Sequence, residues 1–244
     1  MAGTRAEVAL LRPVREGNAF EETIERVLQV IKLGVVPVGE RLPPERELAL
    51  RLGVSRVTLR EAIRALKEAG YVESRRGRYG GTFVQALPAH PRGLARRAAV
   101  QLLNRRDGDT LDDLLTYRLV VEAGAAETAA ARRLTEPEVG HLRAMLTGTA
   151  AATPEHYRRS DSRLHLAVAE LTGSPLLTAA VADARTKVNE LLDAIPLLVS
   201  NIKHSDRQHE RIVAAIVSGE PVTARTAMAE HLDGSSALLR GFLQ

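Results

Sequence analysis

Asp161 and His165 stand four residues apart in the run DSRLH, so on a helix both side chains project from one face. A carboxylate and an imidazole so placed form half of a divalent-cation site, one hard oxygen donor beside one borderline nitrogen donor. Two further imidazoles are positioned to join them. His209 opens HERIVAAI and His231 sits in AMAEHLDG, on the last two helices that periodicity predicts, with the turn Gly219-Glu220-Pro221 between them. Antiparallel packing of those helices brings both rings inward. The plainer alternative is a surface hydrogen bond or ion pair between Asp161 and His165, and the spacing leaves both readings open. The other histidines, His90, His141, His156 and His204, show no such pattern, and His204 reads as a surface residue.

A second set of chemically capable residues lies in LGVSRVTLREAIRALKEAG, residues 52–70. Leu59, Ala62, Ile63 and Leu66 recur as a buried helical stripe, while Arg56, Arg60, Arg64 and Lys67 line the opposite side. Ser55, Arg56, Thr58 and Arg60 cluster at the N-terminal end. Arginine pairs bidentately with guanine, and threonine reaches a base edge or a phosphate. Downstream, Arg75-Arg76-Gly77-Arg78 forms a basic hairpin tip suited to a minor groove, where glycine permits close approach. A row of arginines is also what a solvated helix face looks like. The concurrence of a short preceding helix, a polar N-terminal end and a basic hairpin favours contact with a polyanion. The charge distribution agrees: residues 1–85 hold 15 Lys+Arg against 11 Asp+Glu, whereas residues 86–244 hold 19 of each.

The elements that must position these residues are mostly helical. Aromatics are 3% of the chain, tryptophan is absent, and long stretches lack β-branched runs. Phe20, Ile24, Val27, Leu28 and Ile31 mark a first amphipathic helix ending near Gly34. Pro43-Pro44 open a short helix through Arg51, stopped by Gly53, and Ser55 caps the next one to about Ala69. YVESRRGRYGGTFV then reads as a β-hairpin. Residues 86–93, ALPAHPRG, are proline-bearing and aperiodic, as in a linker. Beyond them seven helices are expected over 94–105, 110–133, 135–150, 155–172, 175–199, 205–218 and 221–241. The fold class is therefore mainly α. Residues 1–85 read as a winged helix-turn-helix DNA-binding domain, 86–93 as a linker, and 94–244 as an all-helical bundle of about seven helices. The chain has no cysteine, no signal-peptide-like N-terminus and no apolar run near the roughly 18 residues of a membrane span. A cytoplasmic protein is expected, with no membrane partner.

Gly39–Val84, GERLPPERELALRLGVSRVTLREAIRALKEAGYVESRRGRYGGTFV, resembles the signature of GntR-family bacterial transcription regulators. The resemblance implies that Arg46, Arg56 and Arg60 hold phosphates or bases, with Ser55 and Thr58 beside them, and that Gly77 sits at the wing tip aided by Arg76. Val57 stands where other members often carry a polar residue, so the operator sequence does not carry over. The C-terminal part resembles the FadR subfamily's all-helical FCD effector domain. Asp161-x-x-x-His165, His209-x-x-Ile212-x-x-Ala215-Ile216 and Ala227-Met228-x-x-His231-Leu232 carry that likeness. It implies that Asp161, His165, His209 and His231 bind one divalent metal ion, with zinc first and nickel or another mid-series metal also suited. Arg118 is a candidate anchor for an effector carboxylate; an intrahelical pair with Glu122 is the equal alternative. Ser174 departs from the asparagine common in relatives.

The expected function is a homodimeric, ligand-responsive transcription regulator, a repressor on the family's usual pattern. Its partners would be double-stranded operator DNA and a small organic acid effector. Two other readings compete with it. One is a metal-dependent hydrolase or isomerase built on the same centre, although no Glu is placed by motif as a general base. The other is a regulator whose metal is purely structural.

Overall fold

The computed structural model describes residues 11, 13–14, 17–32, 35–77, 80–85 and 111–243. The expected linker 86–93, the expected helix 94–105, His90 and Arg78 lie outside the described residues. Two compact units divide the chain: residues 1–94 with 234–244, and residues 95–233.

In the first unit, α1 (Ala19–Lys32) buries Phe20, Ile24, Val27, Leu28 and Ile31, the stripe that its apolar spacing defines. Pro43 and Pro44 precede α2 (Glu45–Leu52), where a missing N–H leaves no helical bond unmade. Gly53 ends it in the left-handed region at φ 66°, donating its N–H to the helix's last carbonyls. Ser55 then caps α3 (Arg56–Glu68), its Oγ accepting from the Thr58 N–H at 3.0 Å. Leu59, Ala62, Ile63, Ala65 and Leu66 hold α3 on the unit. β1 (Val72–Arg75) and β2 (Gly81–Val84) pair antiparallel, Val72 opposite Val84 and Arg75 opposite Gly81. Leu42 N–H donates to the Thr82 carbonyl at 2.8 Å, which ties the segment before α2 to the hairpin.

Among the described residues, the second unit packs five helices and part of a sixth. They are α4 (Leu111–Ala130), α5 (Glu136–Ala150), α6 (Pro154–Glu170), α7 (Pro175–Asp193), α8 (Val199–Val217) and the first part of α9 (Pro221–Leu243). Ala123, Ala126 and Ala129 give α4 a smooth face against Leu142, Leu164, Val168, Ile212, Ile216 and Met228. Small side chains there let helices approach closely, which is how α6, α8 and α9 bring polar groups together inside an apolar shell. Thr135 and Glu138 close a capping box on α5, and Ser174 caps α7 through the Leu177 N–H at 3.3 Å. Serine and asparagine are both strong capping residues, so Ser174 preserves at least this local role.

Two features differ from expectation. The helix expected over 175–199 ends at Asp193, and the next begins at Val199. Pro196 lies between them; it has no N–H to donate and its ring clashes with the preceding turn. The final segment, residues 234–244, groups with the first unit instead of the bundle. Gly241 marks a close approach there: a Cβ would lie 3.0 Å from the Glu25 Cα, tighter than most side chains make. The rings of Tyr71 and Phe242 meet edge to face at 5.7 Å in the same unit.

Candidate functional site

Helix periodicity sets Asp161 and His165 on the inner face of α6, and α8 and α9 present His209 and His231 to the same spot. All four are buried, and one donor atom from each lies within 4.8 Å of every other. His209 Nε2 is 3.1 Å from Asp161 Oδ1 and 3.3 Å from His231 Nε2, and His165 Nε2 is 3.7 Å from Asp161 Oδ1. Tetrahedral donors at about 2.0–2.1 Å from a zinc-like ion stand roughly 3.3 Å apart. The spacing therefore fits one small divalent ion. The buried His165 Nε2 has no hydrogen-bond partner, which is what a metal ligand facing its ion looks like without the ion.

The far side of each ligand is also organised. His165 Nδ1 bonds Glu122 Oε2, and the other Glu122 oxygen accepts from Arg118 Nε at 2.8 Å. His231 Nδ1 bonds Gln208 Oε1 at 3.2 Å. Both oxygens require Nδ1–H tautomers, so both Nε2 lone pairs face the cradle. Asp161 turns Oδ1 to the histidines while Oδ2 accepts from Arg185 Nη2, which also reaches Ser162 Oγ at 3.2 Å.

Electrostatics keep the donors in the forms that bind metal. Burial raises the Asp161 carboxyl, but the Arg185 guanidinium and His165 outweigh it and hold it well below the ordinary carboxylate value. Burial likewise raises Glu122, and His165 and Arg118 bring it below the usual range. Burial lowers His165 against the pull of Glu122, and burial with neighbouring His209 and His165 lowers His231 well below an ordinary imidazole. Asp161 and Glu122 are thus held as anions and the His165 and His231 rings toward the neutral form, flanked by two guanidinium groups.

Of the expected site residues, the structure brings Asp161, His165, His209 and His231 together. Arg118 takes the intrahelical pair with Glu122, both side chains at most 2% exposed. His204 is half-buried and outside the cluster. The bond between Glu122 and His165 was not anticipated, nor were Arg185 and Gln208. Their signal was a polar residue on an apolar stripe: Arg185 sits between Val181 and Val188, and Gln208 precedes Ile212 by four.

On the first unit, Arg46, Ser55, Arg56, Arg60, Arg76 and Gly77 are exposed and Thr58 is half-buried. Ser55 Oγ and Thr58 Oγ1 share a hydrogen bond of 2.8 Å at the open end of α3. Glu45 on α2 holds Arg60 Nε at 2.8 Å, which aims the guanidinium along the helix end. Arg64 pairs with Glu68, a turn further on. Arg75 lies over the Phe83 ring at 4.4 Å and beside Glu73, and both it and Arg76 are exposed at the described edge of the tip. Gly77 adopts φ 104°, a conformation that a side chain would strain.

The profile described as bacterial regulatory proteins, gntR family, matches residues 20–84, and that of the FCD domain matches residues 113–234. The chain belongs to the GntR family. A protein of Mycobacterium gastri named as the HTH-type transcriptional regulator RmpR is 33% identical over 229 residues, covering 91% of this chain and 81% of its own. An Escherichia coli K12 protein named as an L-lactate dehydrogenase operon regulatory protein is 30% identical over 238 residues, 91% of this chain and 86% of its own. The HTH-type transcriptional regulator Mce2R of Mycobacterium tuberculosis is 30% identical over 247 residues, 96% of each chain. This GntR-family protein is accordingly a DNA-binding transcription regulator with a helical FCD domain. Its family and relatives are regulators and not enzymes, so the hydrolase or isomerase reading is set aside. No described helix is long and apolar enough to cross a membrane.

Proposed function

We propose that this protein is a cytoplasmic, homodimeric repressor of the FadR subfamily that senses a small organic acid through a metal-containing FCD domain. The observation that carries the reading is the buried cluster of Asp161, His165, His209 and His231, with donor atoms within 4.8 Å of one another. Those four residues would hold the ion, zinc first and nickel or another mid-series metal after it. When bound, the ion supplies a Lewis-acidic position that attracts an effector oxygen. The protein's own part is to keep that position dry and oriented: Glu122 and Gln208 fix two rings, and Arg185 fixes the Asp161 carboxylate.

Arg118 enters this reading through Glu122, as the cation that keeps the carboxylate charged beside His165. On the DNA side, Arg46, Ser55, Arg56, Thr58 and Arg60 would meet bases and phosphates in a major groove, with Arg76 and Gly77 at the wing. Two such faces in a homodimer suit a pseudo-palindromic operator. A relative named for an L-lactate dehydrogenase operon supports a small acid as the effector class. The effector acts only if it binds the operator-competent and released states with different affinity.

The test uses a duplex selected by the protein from a random library. Fluorescence anisotropy of that duplex with zinc-loaded protein should fall as a small organic acid is added, and the acid should emerge unchanged. Turnover of the acid, or operator affinity indifferent to every acid tried, contradicts the reading.

A further inference from the structure

Around the metal cradle, four side chains carry formal charge out of reach of water: Arg118 and Arg185 are cationic, Glu122 and Asp161 anionic. They cancel. Asp206 also feels Asp161 and His209, but it is partly exposed and accepts the Tyr157 hydroxyl at 3.2 Å, so water screens its charge as it cannot screen the four. A divalent ion placed among the four donors therefore leaves two surplus positive charges in a buried site. Unpaired buried charge is strongly unfavourable, and a ligand that enters such a site is selected for the charge it brings. A monocarboxylate neutralises half of the surplus, and a diacid neutralises all of it.

The two guanidinium groups are not equally committed. Arg118 Nε is held by Glu122, whose other oxygen is held by His165, a chain that ends on a metal-facing ring. Arg185 makes its hydrogen bonds to Asp161 and Ser162 through Nη2, and its buried Nε has no partner. The distance between cradle and guanidinium is also short. The single carboxylate of Asp161 spans it, with Oδ1 at 3.1 Å from His209 Nε2 and Oδ2 on Arg185.

We infer that Arg185 is an anion-binding arm beside the cradle, and that the effector is a short diacid. One carboxylate serves the divalent ion, and the other meets the fork of Arg185. This inference rests on the metal-dependent effector reading above and narrows its ligand class.

Calorimetry on zinc-loaded protein tests it, with malonate and succinate as diacid probes and acetate and propionate as monoacid probes. The diacids should bind at least tenfold more tightly than the monoacids. Arg185→Lys keeps the charge beside Asp161 and removes the fork, so that preference should shrink, with binding expressed per zinc ion counted by elemental analysis. Monoacids binding as tightly as diacids to wild type overturns the inference and leaves the broader reading standing. So does a diacid preference undiminished in Arg185→Lys. If no acid of either kind binds the zinc-loaded protein, the effector reading fails, and this one with it.

Discussion

Replacing Glu122 with Gln tests whether the residues behind the cradle matter to it. Glu122 accepts from two donors at once, Arg118 Nε at one oxygen and His165 Nδ1 at the other. Glutamine keeps the shape but has a single acceptor oxygen, so one of the two donors is orphaned. The side chains of Arg118 and Glu122 are 2% and 1% exposed, so water cannot satisfy the orphan. An unmet buried donor costs about 1–3 kcal/mol. Removing one partner of a buried ion pair costs about 3–5 kcal/mol, and the retained amide contact places Glu122→Gln near the lower end. Loss of an outer partner of a metal-bound histidine lowers metal affinity roughly 10–100-fold, or about 1.4–2.7 kcal/mol. The assay is zinc affinity by competition with a chromophoric chelator, alongside thermal unfolding of the metal-free protein. Glu127→Gln is the control: its pair with Arg225 is exposed and should leave both readouts nearly unchanged. Zinc affinity within twofold of wild type in Glu122→Gln would refute an organised outer layer.

Other perturbations address the DNA face and the protonation state. Arg60→Ala should abolish binding to the selected duplex while zinc content and dimerisation persist, checked by anisotropy and sedimentation; unchanged duplex affinity contradicts the role given to Arg60. Ser55→Ala removes the cap on α3 and should lower stability by about 1 kcal/mol, seen in denaturant unfolding, with weaker duplex binding besides. In the metal-free protein His165 and His231 titrate below their unfolded value of about 6.5, so the unfolded chain binds more protons just below that pH. Stability should therefore decline as pH falls from 7.5 to 5.5, while the depressed carboxylates Asp161 and Glu122 withdraw theirs only below about pH 4. A thermal midpoint flat between pH 7.5 and 5.5 contradicts neutral buried rings.

The sequence made the local features readable because their causes are local. Gly53 and Ser55 bound α3 by backbone geometry and capping, and the apolar spacing of Leu59 to Leu66 shows which side is buried. Of the four candidate ligands, i,i+4 spacing marks only Asp161 with His165 and leaves an ion pair open; the full set was implied by the likeness to the FCD domain, because three separate helices must pack to bring it together. What escaped depends on packing between distant segments. Arg185 meets Asp161 across 24 residues, and Glu122 meets His165 across 43, so neither pair leaves a spacing to read. The approach of Gly241 to Glu25 is likewise invisible in a periodic helix pattern. Pro196 breaks a helix by itself, yet the apolar run around it carries the helical pattern across the break.

Zinc K-edge X-ray absorption on the zinc-loaded protein addresses the central claim most directly. One ion per chain should show three imidazole scatterers and one carboxylate oxygen at about 2.0–2.1 Å, and His209→Ala should remove an imidazole shell or the ion itself. Zinc bound without imidazole scattering, or an unaltered spectrum in His209→Ala, would contradict a metal centre built from Asp161, His165, His209 and His231.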